Sequence, residues 1–226
     1  MSQKALKHFP SLTTFHVKVL AALLMVVDHV GLVYEMEWMR IIGRFSFPLF
    51  AWLLVQGAKH TRNLSNYKRR LLIFAFASQP IYSLFKASLL PLNIGFQLWL
   101  GLVVVQLVKM RQMTPLLWVA FIGVATLFFD YRYYGIGLVY LISSYPLLLP
   151  NSPLAMDSRV NKILWVAAFV GLHLYYSLSY PLQIFALPFM FLLPVLNKID
   201  RRGLKARWFY WFYPVHFIPL TFLKGF

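Results

Sequence analysis

The chain has 226 residues, of which 60% are hydrophobic and only 12% are charged. A soluble domain carries about 25% charged residues because its surface must be polar. The composition therefore excludes an ordinary soluble domain and predicts one membrane-embedded domain, residues 1–226. The formal net charge of +16 does not indicate nucleic acid as a partner, because the Lys and Arg residues fall in short clusters between apolar runs.

Apolar runs separated by charged and turn-forming residues predict an all-α, polytopic membrane bundle of about nine transmembrane helices. A helix needs about 20 apolar residues to cross the hydrocarbon layer, and fewer where its neighbours shield the ends. The predicted spans are Val17–Tyr34, Ile41–Ala58, Leu71–Phe85, Ile94–Val108, Pro115–Phe129, Tyr134–Leu149, Ile163–Ser177, Leu182–Leu196 and Trp208–Leu223.

The positions of the cations predict the orientation of these helices. If the N-terminus is cytoplasmic, 17 of the 22 Lys and Arg residues fall on the cytoplasmic side. Cytoplasmic loops carry such an excess, so the chain is predicted to be a multi-pass protein of the bacterial inner membrane. The basic N-terminal segment leads into the first apolar run without a small-residue cleavage site, which predicts a retained first span.

Asp28 and His29 lie in the first predicted span, and Arg44 lies near the outer end of the second. An ionisable side chain at membrane depth costs at least about 2.5 kcal/mol unless it is paired, so such residues are functional candidates. His29 lies about 16 Å from Lys18 along the helix, near the midplane. Asp28 and Arg44 have similar depth, and two interpretations stay open: an ion pair that locks two helices, or part of a catalytic site. Pro48 is expected to kink the second span.

The last predicted span contains His216, with Tyr213 three residues earlier on the same helical face. His216 lies about 12 Å from Trp208, and therefore near the midplane as well. Two histidines at matching depth in the first and last spans predict a shared buried site. Imidazole exchanges a proton near neutral pH, which suits general-base work.

Other polar residues within the spans are weaker candidates. His173 has an aromatic setting that favours a packed, structural histidine. Asp130 and Arg132 are expected to form an ion pair at the outer rim, and Ser78–Pro80 to break the third span and line a cavity.

The sequence lacks the motifs of several known kinds of catalytic and metal-binding site. The chain has no cysteine, which excludes a thiolate nucleophile and a Cys-ligated metal. No HxxxH or HExxH spacing predicts a metal site, and no Gly-x-Ser-x-Gly elbow is present. The residues alone therefore predict an intramembrane His/Asp/Arg site of unspecified chemistry, without metal.

Four motifs resemble the signature of the TraX family in order, spacing and placement within the spans. They are M-x-x-D-H at Met25, Asp28 and His29; G-R-x-x-F-P-x-F at Gly43, Arg44, Phe47, Pro48 and Phe50; K-H-T-R-N at Lys59–Asn63; and F-Y-P-x-H at Phe212, Tyr213, Pro214 and His216.

The resemblance implies an acetyltransferase that acetylates the N-terminus of a membrane-inserted pilin. It extends to transmembrane acyltransferases that use cytoplasmic acetyl-CoA. By this resemblance His29 would accept a proton from the attacking amine or become transiently acylated. Arg44 and His216 would stabilise the oxyanion or orient the acceptor, with Asp28 and Tyr213 completing the catalytic set. The acetyl-CoA phosphates would bind the basic cluster of Lys59, His60, Arg62, Arg69 and Arg70.

Three other functions remain open at this point. One is O-acetylation of a surface glycan, a lipid or another small envelope substrate. A second is a transporter or flippase that passes a polar head group by the same buried charges. A third is a non-catalytic membrane assembly factor.

Overall fold

The computed structural model describes residues 12–145, 158–199 and 209–225, and the regular structure in those ranges is helical. The predicted all-α class is confirmed. The helices are α1 (Thr14–Val33), α2 (Glu37–Gly43), α3 (Ser46–His60), α4 (Leu64–Lys86), α5 (Ile94–Lys109), α6 (Pro115–Phe128), α7 (Arg132–Ser143), α8 (Ser158–Ser177), α9 (Phe189–Leu196) and α10 (Phe209–Leu223), with a 3₁₀ helix at Pro181–Ala186.

Each predicted span coincides with a helix or with a broken pair of helices. The second span divides into α2 and α3 because the chain turns at Arg44 and Phe45, and Pro48 then lies in the first turn of α3. A proline is tolerated there because the first amides of a helix have no intrahelical acceptor. The backbones of Arg44 and Phe45 keep right-handed helical angles, so the kink expected at Pro48 stays a prediction. The ends of two predicted spans, Leu149 and Trp208, lie outside the described residues, as do the cations of residues 1–11 and 200–208.

Polar caps set the starts of three helices. The side chain of Asn63 accepts a hydrogen bond from the Asn66 amide at 2.8 Å, and Asn93 accepts one from the Gly95 amide at 2.8 Å. Thr114 caps α6 in the same way, with Pro115 as the first helical residue. Each cap binds an amide that the helix itself leaves without an acceptor.

The predicted break at Ser78–Pro80 is wrong, because α4 continues through all three residues. None of these three residues lines the cavity of the candidate site described below. Gln79 Oε1 accepts hydrogen bonds from the amide and the side chain of Asn93, both at 2.9 Å. This polar pair joins α4 to the start of α5, so the polar residues here bind a neighbouring helix.

The helices pack around α3, α5 and α7. α1 packs against α2 and α3, α3 and α5 pack against α7, and α10 lies between α4 and α1. Trp52, Tyr134 and Phe169 are among the fully buried side chains of this core. α6 and α8 present large exposed apolar side chains, including Leu116 and Ile163.

Two helical segments are long and apolar enough to cross a membrane by length and composition. They are Thr14–Val33 and the stretch Glu37–His60, which contains α2 and α3. Shorter apolar helical segments are Ile94–Lys109, Pro115–Phe128 and Pro181–Leu196.

Candidate functional site

The imidazoles of His29 on α1 and His216 on α10 are in contact. The distance between His29 Nδ1 and His216 Nε2 is 3.0 Å, and the ring centroids are 5.1 Å apart. The rings of Phe217 and Phe85 lie against His29 at centroid distances of 4.9 and 5.9 Å. The predicted meeting of these two histidines is therefore confirmed, although they lie 187 residues apart in the sequence.

The hydrogen bonds assign the tautomers of the pair. His216 Nδ1 donates to the backbone carbonyl of Tyr213, because a carbonyl oxygen only accepts. In a neutral imidazole, His216 Nε2 then carries the lone pair and accepts from His29 Nδ1. The remaining nitrogen of His29, Nε2, keeps its own lone pair. Among the described residues, none hydrogen-bonds to this atom, and the half-buried His29 lines a cavity.

Asp28, one residue before His29, is buried and paired with two arginines. Arg44 donates from Nε to Asp28 Oδ1 at 3.1 Å and also from Nη2 to the same oxygen. Arg40 Nε lies 3.3 Å from that oxygen. The predicted pairing of Asp28 with Arg44 is confirmed, and Arg40 is a second partner that the sequence reasoning did not place there.

The close approach of α1 and α2 depends on Gly43. A Cβ atom at this position would lie 2.3 Å from Asp28 Cβ and 2.6 Å from Asp28 Cα. Only glycine therefore lets α2 lie against α1 closely enough for Arg40 and Arg44 to reach one carboxylate.

A directed chain of hydrogen bonds leads from Arg44 into the core. Arg44 Nη1 donates to Gln183 Oε1 at 3.3 Å, and Gln183 Nε2 donates to the Tyr134 hydroxyl at 3.0 Å. Tyr134 lies 3.0 Å from His173 Nε2, and His173 Nδ1 donates to the Phe169 carbonyl at 2.8 Å. His173 is fully buried within this chain, and its contacts agree with the structural role expected for it.

One cavity of about 810 Å³ is lined by Asp28, His29, Arg40, Arg44 and Gln183. It reaches from Lys18 to Leu32 along α1, and from Arg70 to Lys86 along α4. At 1.5 Å per helical residue these stretches measure about 21 and 24 Å. We call the end at Lys18 and Arg70 the basic end and the end at Leu32 and Lys86 the far end. Among the described charged side chains in the lining, Lys and Arg number five and Asp two.

The basic end of the cavity contains part of the predicted phosphate cluster. His60 and Arg70 line the cavity, together with Lys18 and the aromatic residues Tyr67 and Tyr210. The guanidinium of Arg70 lies 5.8 Å from the ring centroid of Tyr67.

Three members of that cluster lie elsewhere. Lys59, Arg62 and Arg69 are exposed and do not line the cavity. Their contiguity in sequence does not bring them to one surface, because neighbouring residues on a helix or at its end point in different directions.

The far end contains an ion pair that differs from the expected one. Asp130 pairs with Lys86 of α4 at 3.3 Å, while the guanidinium of Arg132 lies over the Tyr180 ring at 5.6 Å. The predicted Asp130–Arg132 pair is therefore wrong. Arg132 begins α7, and its side chain extends toward the aromatic residues after α8.

The remaining predicted residue, Tyr213, lines the cavity and supplies the carbonyl that orients His216. His216 itself is buried and does not line the cavity. The residues that sequence reasoning missed are Lys18, Arg40 and Gln183. Gln183 could have been predicted from the sequence, because an uncharged polar residue inside an apolar run requires a hydrogen-bond partner.

Comparisons with known proteins agree with the motifs. The profile of the TraX family, described as TraX protein, matches residues 14–224. A protein described as probable fimbrial assembly protein FimC, serogroup H1, from Dichelobacter nodosus is 28% identical over 244 residues, which cover 95% of this chain and 96% of that protein. No solved structure matches significantly. Because the family match covers His29, Arg44, His216 and nearly all of the chain, this chain belongs to the TraX family.

Proposed function

We propose that this chain is a multi-pass acetyltransferase of the bacterial inner membrane that uses cytoplasmic acetyl-CoA. The acceptor would lie at or beyond the membrane and would be, in the first place, the N-terminus of a pilin subunit. The observation that carries the proposal is the hydrogen bond from His29 Nδ1 to His216 Nε2. It leaves His29 Nε2 as a base in a cavity that extends between the two ends of the bundle.

The membrane location is supported by charge and surface. The basic end faces the cytoplasm in the orientation that places 17 of 22 cations inside. Leu116, Leu127 and Ile163 are 78%, 73% and 68% exposed. Large apolar side chains with this degree of exposure suit contact with lipid.

The donor would enter from the basic end. Acetyl-CoA is a polyanion, and Lys18 and Arg70 supply cations for its phosphates while Tyr67 and Tyr210 supply aromatic surface. With its phosphates held there, the acetyl thioester would extend toward His29, within the length of the cavity.

In the transfer step the acceptor nitrogen attacks the thioester carbonyl, an N–C bond forms and the C–S bond breaks. His29 Nε2 takes the proton from the nitrogen and passes it to the departing thiolate sulfur, so that the histidine is restored. Arg44 lines the cavity beside Asp28 and contributes positive potential where the carbonyl oxygen gains charge. His216 acts as a positioning residue, since it fixes the tautomer and the orientation of His29.

A pilus-related acceptor is favoured by the relative described as a probable fimbrial assembly protein. The alternatives, a surface glycan or a lipid hydroxyl, would use the same base and donor. An assay must therefore offer both kinds of acceptor.

The proposal is tested by transfer from radiolabelled acetyl-CoA in proteoliposomes, with a membrane-anchored pilin peptide and a glycan lipid as parallel acceptors. We expect label on the peptide amine. Replacement of His29 by Ala should reduce transfer at least about 100-fold, the usual contribution of a general base.

His16 provides the matched control, because it is an exposed histidine on the same helix. His16→Ala should transfer acetyl at the rate of the native protein. More than a tenth of native turnover in His29→Ala would remove His29 from the mechanism. Label on the glycan lipid alone would assign the alternative acceptor. No transfer to either, with flipping of the lipid head group, would favour a transporter.

A further inference from the structure

Two guanidinium groups share one carboxylate in the centre of the cavity. Arg44 Nη2 and Arg40 Nε both approach Asp28 Oδ1. The other acid in the described lining, Asp130, is matched by Lys86. One positive charge is therefore left over in the half of the cavity beyond His29.

Arg40 is the residue whose positive charge has no carboxylate of its own in the described lining. Arg44 uses Nε and Nη2 on Asp28 and Nη1 on Gln183, so all three of its nitrogens have partners. The side chain of Arg40 is 24% exposed, compared with 11% for that of Arg44. Within the described part of the chain, no hydrogen bond involves the terminal nitrogens of Arg40, which lines the cavity.

A guanidinium that shares its carboxylate with a second arginine, and whose terminal nitrogens make no hydrogen bond within the described residues, favours a further anionic ligand. A planar guanidinium binds a carboxylate through two parallel hydrogen bonds, and both gain strength where water is excluded. The donor phosphates would not supply this anion, because their cations, Lys18 and Arg70, lie at the basic end. The anion near Arg40 must then belong to the acceptor.

We propose that Arg40 binds a carboxylate of the acceptor peptide, on an acidic side chain within the first few residues after the acetylated amine. This inference rests on the proposed acetyl transfer and names the acceptor feature that the site selects. Arg40 and His29 are linked through Asp28, which contacts Arg40 and adjoins His29. An extended peptide advances about 3.3 Å per residue, so a short segment reaches from one side chain to the other.

The ion pair between Arg40 and the acidic side chain would hold the acceptor peptide in register, with its amine near His29. Arg40 is therefore a specificity residue, distinct from the base His29.

The test uses membrane-anchored acceptor peptides that differ only by Glu or Gln at one position, scanned from residue two to residue five. For native protein in proteoliposomes we expect kcat/KM to be at least about tenfold higher for Glu at one of these positions, the effect of a charge-assisted hydrogen bond. Arg40→Gln should bring the Glu-to-Gln ratio to within about twofold of one. Arg40→Lys should keep an intermediate ratio.

Peptide affinity measured without acetyl-CoA separates this inference from the proposed function. A preference for Glu in binding that disappears in Arg40→Gln supports the inference even if no acetyl is transferred. The control is Arg111→Gln, an exposed arginine outside the cavity and outside the predicted phosphate cluster, which should keep the native ratio.

Three results would overturn the inference. The first is equal kcat/KM for the Glu and Gln peptides at every position in the native protein. The second is a Glu preference that persists in Arg40→Gln. The third is binding of an anionic lipid head group in place of either peptide.

Discussion

His216 contributes to the site because its hydrogen bond to His29 Nδ1 leaves the other ring nitrogen of His29, Nε2, with a free lone pair. Both of its nitrogens are engaged, Nδ1 by the Tyr213 carbonyl and Nε2 by His29 Nδ1. The proton between the two rings is thereby confined to His29 Nδ1. An imidazole held in one tautomer and one orientation presents its base to the substrate without a prior rearrangement.

Replacement of His216 by Ala should lower kcat by up to about 100-fold, because misplacement of a reacting group by about 1 Å has effects of that size. The KM for acetyl-CoA should not change, since His216 does not line the cavity. His216→Gln should retain more activity than His216→Ala, because an amide oxygen can accept from His29 Nδ1. Steady-state kinetics of the three proteins measure this order. Equal losses for Gln and Ala would show that His216 only fills space.

Arg69 and Arg70 provide a matched pair at the basic end. They are consecutive and both exposed, but only Arg70 lines the cavity. Arg70→Gln should raise the KM for acetyl-CoA about tenfold through loss of a charge-assisted hydrogen bond, while Arg69→Gln should leave it unchanged. A similar KM in both variants would place the donor phosphates elsewhere.

At the scale of elements, the contact between α1 and α2 determines where the charges of the site meet. α2 is a short helix that follows α1 directly and packs against it and against the 3₁₀ helix. Its position depends on Gly43, whose missing side chain allows contact with the Asp28 backbone. Arg40 in α2 and Arg44 directly after it both contact Asp28 of α1.

Replacement of Gly43 by Ala should lower stability by about 1–3 kcal/mol, the usual effect of forced overpacking. It should also lower acetyl transfer, because α1 must shift at Asp28. Gly123→Ala is the control: among the described residues, apart from the backbone of its own helix and its chain neighbours, no atom lies within 4 Å of the added Cβ, and alanine favours the helix by up to about 1 kcal/mol. Thermal unfolding in detergent and the transfer assay compare the two. Equal stability would show that the α1–α2 contact has room to relax.

Across the whole molecule, the cavity connects the basic end with the far end, and the two ends differ in charge. The basic end is predicted to face the cytoplasm and the far end the opposite side of the membrane. Lys18, His60 and Arg70 line the basic end, and the Lys86–Asp130 pair lines the far end. In the proposed reaction, the donor and the acceptor would reach His29 from opposite ends of this cavity, without passage of either across the membrane.

The orientation is testable because the chain contains no cysteine. Ser65 and Ser88 are exposed and lie at the ends of α4 that face the basic and far ends, respectively. In intact cells, a membrane-impermeant maleimide should label Ser88→Cys and should label Ser65→Cys only after the inner membrane is permeabilised. Labelling of both in intact cells, or of Ser65→Cys alone, would contradict the proposed topology.

The helical segments, the buried Asp28–Arg44 pair and the meeting of two histidines were predictable from the residues. Apolar run length and turn residues are local properties, and an ionisable side chain in an apolar run requires a compensating partner that few residues can supply. The fold was needed to show that Arg40 joins Asp28, that Lys86 replaces Arg132 at Asp130, and that Arg70 rather than Arg69 lines the cavity. The tautomers of His29 and His216 also follow from hydrogen bonds that form only in the folded chain. These choices depend on the rotation of each helix about its axis and on the close approach of α1 and α2 at Gly43, which arise from packing among distant segments.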